Sequence, residues 1–182
     1  VHPTTLGSSA SEDIPVQFDI TGKNIIAWRW IRNSAPIGFF QQHGNFTGNV
    51  DRWHYYYLYL PSIAVIDFGS ADTGLKIQEN QRHEGCQIFA LHFITPVSEN
   101  YTIDRWMHIR NTAVGDDGVS KKMDEMFRVA FDEDKAILEA VQIEEERETA
   151  PPTLRLAIDK GSHSYRKRIN KLIEAEASNI AL

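Results

Sequence analysis

The stretch GDDGVSKKMDEMFRVAFDEDKAILEAV, residues 115–141, decides the reading of this chain. Gly115-Asp116-Asp117-Gly118 is a turn cluster, and after it Met123, Met126, Phe127, Ala130, Ile137, Leu138 and Val141 recur at helical spacing. The spacing predicts a helix from 119 to about 147, stopped by Pro151-Pro152. Upstream the period is different. Lys23 to Ile31, Val50 to Leu60, Ile63 to Phe68, Cys86 to Ile94 and Tyr101 to Ile109 are β-branched and aromatic runs, separated by Asn33-Ser34-Ala35-Pro36, Pro61, Gly69 and Thr95-Pro96. No helical crossover lies between these runs, so the sheet they form is antiparallel. A second helix is predicted from Ser162 to Ala177. Strands first and helices last is an α+β order, and 182 residues without a repeat or linker make one domain with a real core.

Composition narrows the function classes. Nineteen basic against twenty-five acidic residues give a net charge of -6, which disfavours nucleic acid as a partner. No apolar run approaches the ~20 residues that cross a bilayer, so no membrane partner is expected. The single Cys86 excludes an internal disulfide and a cysteine-ligated cluster, and points to a reducing, cytoplasmic setting. The chain opens Val1-His2-Pro3 without Met or signal peptide, as a fragment or processed chain would.

Within the predicted helix, one acid breaks the pattern. With 100° per residue and Asp134 as zero, Met123, Phe127, Ala130, Ile137, Leu138 and Val141 fall within about 60° of it. Asp132 and Glu125 fall on the solvent side, whereas Asp134 sits on the stripe that should face the sheet. A buried carboxylate needs a cation, a metal or strong donors, so Asp134 is either paired with a sheet Arg or Lys, or a metal ligand or general base. Periodicity alone leaves these alternatives open.

The segment Phe131-Asp132-Glu133-Asp134-Lys135-Ala136-Ile137-Leu138-Glu139-Ala140 resembles the ligand helix of Rieske non-heme iron oxygenases, of the vanillate O-demethylase oxygenase-subunit type. Val1-His2-Pro3-Thr4-Thr5-Leu6-Gly7 is similar to the end of that family's two-histidine motif. Val50-Asp51-Arg52-Trp53, His92-Phe93-Ile94-Thr95-Pro96 and Trp106 through Asn111 match its strand landmarks, and Asp159 to Glu176 its last helix. The resemblance implies a helix-grip (START/Bet v 1-like) fold, a curved antiparallel sheet wrapped on a long helix. It implies that residues 1–182 form a single catalytic domain, truncated at its N-terminus inside the metal motif. It further implies a mononuclear Fe(II) held by two histidines and one carboxylate, a ligand set whose open positions take dioxygen. Carried onto this sequence, the catalytic ligands are His2 and Asp134, with the first histidine upstream of Val1.

The Rieske [2Fe–2S] centre needs Cys-x-His and Cys-x-x-His ligands that Cys86 cannot supply, so it belongs to the intact enzyme. The expected partners are a Rieske domain, a reductase or ferredoxin, dioxygen and a small aromatic or related substrate, in a homotrimer. The expected reaction is ring hydroxylation or O-demethylation, with the isolated fragment binding iron poorly and inactive. The competing expectation is a non-catalytic helix-grip module that binds a small apolar or aromatic ligand, with Asp134 as a buried hydrogen-bonding group.

Four further groups of residues have expectations attached. By strand alternation His92 shares a face with Ile88, Ala90 and Ile94; it is either a satisfied core or outer-face histidine or, as the family resemblance implies, a substrate-pocket donor. Asp67 is a strand-end turn acid or a second pocket group. Tyr55, Tyr56, Tyr57 and Tyr59 place aromatics on both faces of one strand, mostly as packing. Arg166-Lys167-Arg168 reads as a solvated basic face.

Overall fold

The computed structural model describes residues 14–147 and 156–180. Six strands follow one another in space as in sequence: β1 (Gln17–Asp19), β2 (Ile25–Ser34), β3 (Val50–Tyr59), β4 (Ile63–Asp72), β5 (Cys86–Ser98) and β6 (Tyr101–Arg110). Every neighbouring pair is antiparallel. A short helix, α1 (Gly38–His43), lies between β2 and β3. The long helix α2 (Asp117–Glu145) and the last helix α3 (Lys160–Ile180) follow the sheet. The α+β class and both C-terminal helices are as the sequence predicts. The short β1 and α1 carry too few residues for a period to register.

Predicted strand ends are overrun: β2 runs to Ser34 into the Asn33-Ser34 turn cluster, β6 reaches Arg110, and β4 and β5 pass their expected stops. β4 continues through Gly69 because Gly69 lies directly opposite Trp53. A Cβ there would enter the Trp53 indole and come within 2.5 Å of the Cys86 carbonyl oxygen. The glycine is a close-approach residue inside a strand rather than a breaker. β5 runs through Pro96 to Ser98, with an irregularity in its pairing to β6 between those two residues.

α2 starts where Asp116 caps it, its carboxylate accepting a hydrogen bond from the Val119 amide at 2.9 Å. Val119, Met123 and Phe127 pack with Phe39, Phe40, Cys86 and Ile88 into one core cluster. The stripe then leaves the sheet, which corrects the expectation for its C-terminal third. Ile137, Leu138 and Val141 are exposed, and Asp134 stands half-buried at the margin of cover. The reason is length. Twenty-nine helical residues extend about 43 Å, whereas a ten-residue strand spans only about 33 Å, so the helix outruns the sheet. None of the described helices is both long and apolar enough to cross a membrane.

The sheet therefore has two different sides. The inner side, under the helices, carries Ile25, Ala27, His54, Tyr56, Ala64, Phe68, Ile88, Ala90, His92, Trp106 and His108, as strand alternation and the pairing register require. The outer side carries Trp28, Trp30, Trp53, Tyr55, Tyr57 and Tyr59. Trp53, Tyr55, Ala71 and Ile77 form a second core cluster there. Tyr55, Tyr57 and Tyr59 stack in succession along β3 while Tyr56 faces inward, so the tyrosines do occupy both faces. α3 closes over the β1–β2 end of the inner side, and Gly161 lets it approach the Phe18 ring. Arg168 donates to the carbonyls of Ile20, Gly22 and Lys23. That corrects its reading as part of a freely solvated face, since its guanidinium clamps the β1–β2 turn to α3.

Candidate active site

Between the inner side of the sheet and α3 lies a cavity of about 380 Å³. Its wall is mainly apolar: Phe18, Ile25, Ala27, Leu58, Ala64, Ile94 and Ile158, with Tyr56 and Tyr165 adding aromatic surface. The Tyr165 hydroxyl donates to the Pro61 carbonyl, tying α3 to the β3–β4 turn at the cavity edge.

His92 stands beside this cavity. Its cross-strand partner Ala64 and its same-side neighbour Ile94 are both part of the wall. The imidazole is buried, 9% exposed, and Nδ1 lies 2.7 Å from Asp104 Oδ2 on β6. Its Nε2 is buried without a hydrogen-bond partner among the described residues. Phe131 of α2 meets the ring edge-to-face, centroids 5.2 Å apart. Asp134 follows Phe131 by one helical turn on the same side of α2, so the helix that carries the candidate ligand also packs against the candidate pocket histidine.

A second inner-side imidazole lies nearby. His108 stacks on Phe127 with centroids 3.7 Å apart, and burial, aided by the charge of neighbouring His92, pushes it down to about 4. On β3, burial, reinforced by Arg29 and Arg52, pushes His54 down to about 4 as well. Both rings are neutral at physiological pH. Burial also pushes the Cys86 thiol up to about 11, so Cys86 is a packing residue and not a nucleophile.

Asp67 has a different setting from either sequence expectation. It lies inside β4 rather than at a turn, 1% exposed, on the outer side. It accepts from Trp53 Nε1 at 2.9 Å, Gln87 Nε2 at 2.7 Å and Arg82 Nε at 2.9 Å. Arg82 in turn lies over the Tyr55 ring at 3.9 Å and donates to the Tyr57 hydroxyl. This is an ionic staple holding the 73–84 segment on the outer face, with the strand between Asp67 and the cavity.

Of the four candidate site residues, His92 meets Phe131, which lies one turn before Asp134 on α2, Asp67 points away, and His2 lies outside the described residues. Among the described residues, no three His, Cys, Asp or Glu side chains converge to hold a metal ion. Sequence reading missed Asp104. Nothing in its neighbourhood singles it out, and only the β5–β6 register brings it to His92.

Comparison with known proteins agrees with this geometry. The vanillate O-demethylase oxygenase C-terminal domain family matches residues 1–175. The toluene-4-sulfonate monooxygenase system iron-sulfur subunit of Comamonas testosteroni is 30% identical, over 100% of this chain and 53% of its own length. A vanillate O-demethylase oxygenase subunit of a Pseudomonas species is 25% identical, over 97% of this chain and 55% of its own. The crystal structure of dicamba monooxygenase bound to 3,6-dichlorosalicylic acid shares the fold, with a TM-score of 0.72 at 19% identity, covering 97% of this chain and 52% of that one. The chain thus spans about half the length of the relatives it matches. With a six-stranded antiparallel sheet followed by a long helix, and a family match along nearly its whole length, the chain belongs to the vanillate O-demethylase oxygenase C-terminal domain family, found in Rieske oxygenases.

Proposed function

We propose that this chain is the part of a Rieske non-heme iron oxygenase that holds Fe(II) and positions a small aromatic substrate for hydroxylation or O-demethylation. The observation that carries the reading is the placement of Asp134. The one acid that interrupts the apolar stripe of α2 between Met123 and Val141 lies half-buried at the end of the sheet's cover, a turn beyond the Phe131–His92 contact. A carboxylate there has lost part of its water and gains from a cation. Carboxylate with imidazole is a donor set suited to Fe(II), so Asp134 fits the metal, and His2 with a histidine upstream of Val1 would complete the set.

When bound, the iron supplies dioxygen activation. The chain's own residues do the rest. Asp134 would hold the metal, and the apolar cavity wall would desolvate an aromatic ring. His92, whose Nε2 has no hydrogen-bond partner among the described residues, would meet a polar substituent and so orient the substrate. Electrons come from a Rieske [2Fe–2S] domain fed by a reductase or ferredoxin, in a cytoplasmic homotrimer. The relatives named for toluene-4-sulfonate and vanillate support an aromatic acid as the substrate class.

The test is metal analysis of the full-length protein against its Asp134→Asn variant, with circular dichroism as the control for folding. Iron content should fall to well under half in the variant. Equal iron in both proteins removes Asp134 from the ligand set and returns the apolar cavity to the simpler reading of a ligand-binding module.

A further inference from the structure

We infer that Asp104 is a positioning residue that fixes His92, so that Nε2 of His92 is presented to a polar substituent of the substrate. The inference rests on the reading of the cavity as a substrate chamber and extends it to a residue outside the cavity wall.

Three observations combine. First, an imidazole has two nitrogens with opposite roles in its neutral form, and the partner of one decides what the other can do. Here the partner is a carboxylate. Asp104 Oδ2 lies 2.7 Å from Nδ1, a charge-assisted distance, and a carboxylate can only accept, so the Nδ1 proton is pinned. Second, the ring cannot swivel. Phe131 stands edge-on against it, and Phe131 is itself held by Trp106 at 4.9 Å. Third, Nε2 is buried with no partner among the described residues, beside a cavity whose wall includes both Ala64 and Ile94. An unpartnered buried ring nitrogen is destabilising, a cost that a ligand atom can remove. Nε2 accepts from a hydroxyl when the ring is neutral and donates to an anion when it is protonated. In both states Nδ1–H must stay on Asp104.

Asp104 itself is accessible, its side chain 42% exposed, while the imidazole it holds is buried. This is the arrangement of an orienting carboxylate behind a functional histidine. It also means that substitution of Asp104 leaves no buried charge stranded.

The experiment compares p-cresol with toluene, which lacks the polar group, by equilibrium dialysis against the full-length protein. The proteins are the parent, Asp104→Ala, Asp104→Asn, His92→Ala and the Asp104→Ala/His92→Ala double variant. The parent should prefer p-cresol, whose hydroxyl pairs with Nε2. Asp104→Ala should lose about tenfold of that preference through weaker p-cresol binding, with toluene binding unchanged. Asp104→Asn, whose side-chain carbonyl still accepts from Nδ1–H, should restore most of it. In the His92→Ala background, Asp104→Ala should add nothing. The inference is overturned if the parent shows no preference, if Asp104→Ala weakens both ligands equally, if asparagine does not rescue, or if the two substitutions are additive. Binding is read without turnover, so this outcome is separate from the iron measurement that tests the function itself.

Discussion

Replacing Asp67 with alanine separates a structural acid from a pocket acid. The side chain accepts three hydrogen bonds, from Trp53 Nε1, Gln87 Nε2 and Arg82 Nε, and is 1% exposed. Its loss strands the Arg82 guanidinium, whose side chain is only 13% exposed, and orphans two buried N–H donors. Removing one partner of a buried ion pair costs about 3–5 kcal/mol, and each buried orphan about 1–3 kcal/mol. Arg82 keeps the Tyr57 hydroxyl, the Glu79 carbonyl and the Tyr55 ring, which brings the total to the lower end, about 5 kcal/mol. At about 2–4 °C per kcal/mol for a chain of this size, the thermal midpoint should drop by roughly 10–20 °C. Asp67→Asn, which keeps one acceptor, should lose about half as much. Near-ultraviolet circular dichroism follows the transition through the tryptophans packed around Asp67. Because Asp67 faces the outer side, aromatic-ligand affinity of the folded variant should equal that of the parent. An unchanged midpoint together with a weakened ligand would refute the staple and place Asp67 in the pocket.

Two other perturbations test the packing. His108 and His54 are both pushed below the ordinary histidine value, to about 4, so the unfolded chain binds more protons between about pH 6.5 and 4. The contribution of these two rings should be level above pH 6.5, fall as the pH drops toward 4 and level off again below that. His108→Phe should flatten the slope in urea titrations run at several pH values, and an equally steep slope would show that His108 does not contribute. Gly69→Ala drives a methyl into the Trp53 indole and against the Cys86 carbonyl, and overpacking of this kind costs about 1–3 kcal/mol. A midpoint equal to the parent's would mean that the β3–β4 pair yields more easily than its register indicates.

How much of the site can be read from the sequence depends on the range of the interaction. Asp134 is legible because a helix repeats every 3.6 residues, so a single acid on an apolar stripe stands out within one element. His92 is legible as an inner-side residue because alternation along β5 needs no partner. Asp67 is misread because its donors come from positions 53, 82 and 87, and no local pattern brings them to one carboxylate.

By itself, then, the sequence determined the order of the long strands and helices, the antiparallel sheet, and the acid that interrupts the apolar stripe of the long helix, since all of these follow from local periodicity and turn chemistry. The tertiary structure alone decided where the sheet's cover ends along α2, which leaves Ile137, Leu138 and Val141 exposed just beyond Asp134. It also decided which carboxylate holds His92. Between Pro96 and Ser98 the β5–β6 pairing slips by one residue, and His92 thereafter faces Trp106 with Asp104 on the same side. Side chains alternate with a period of two, so without that slip the two residues would lie on opposite faces of the sheet.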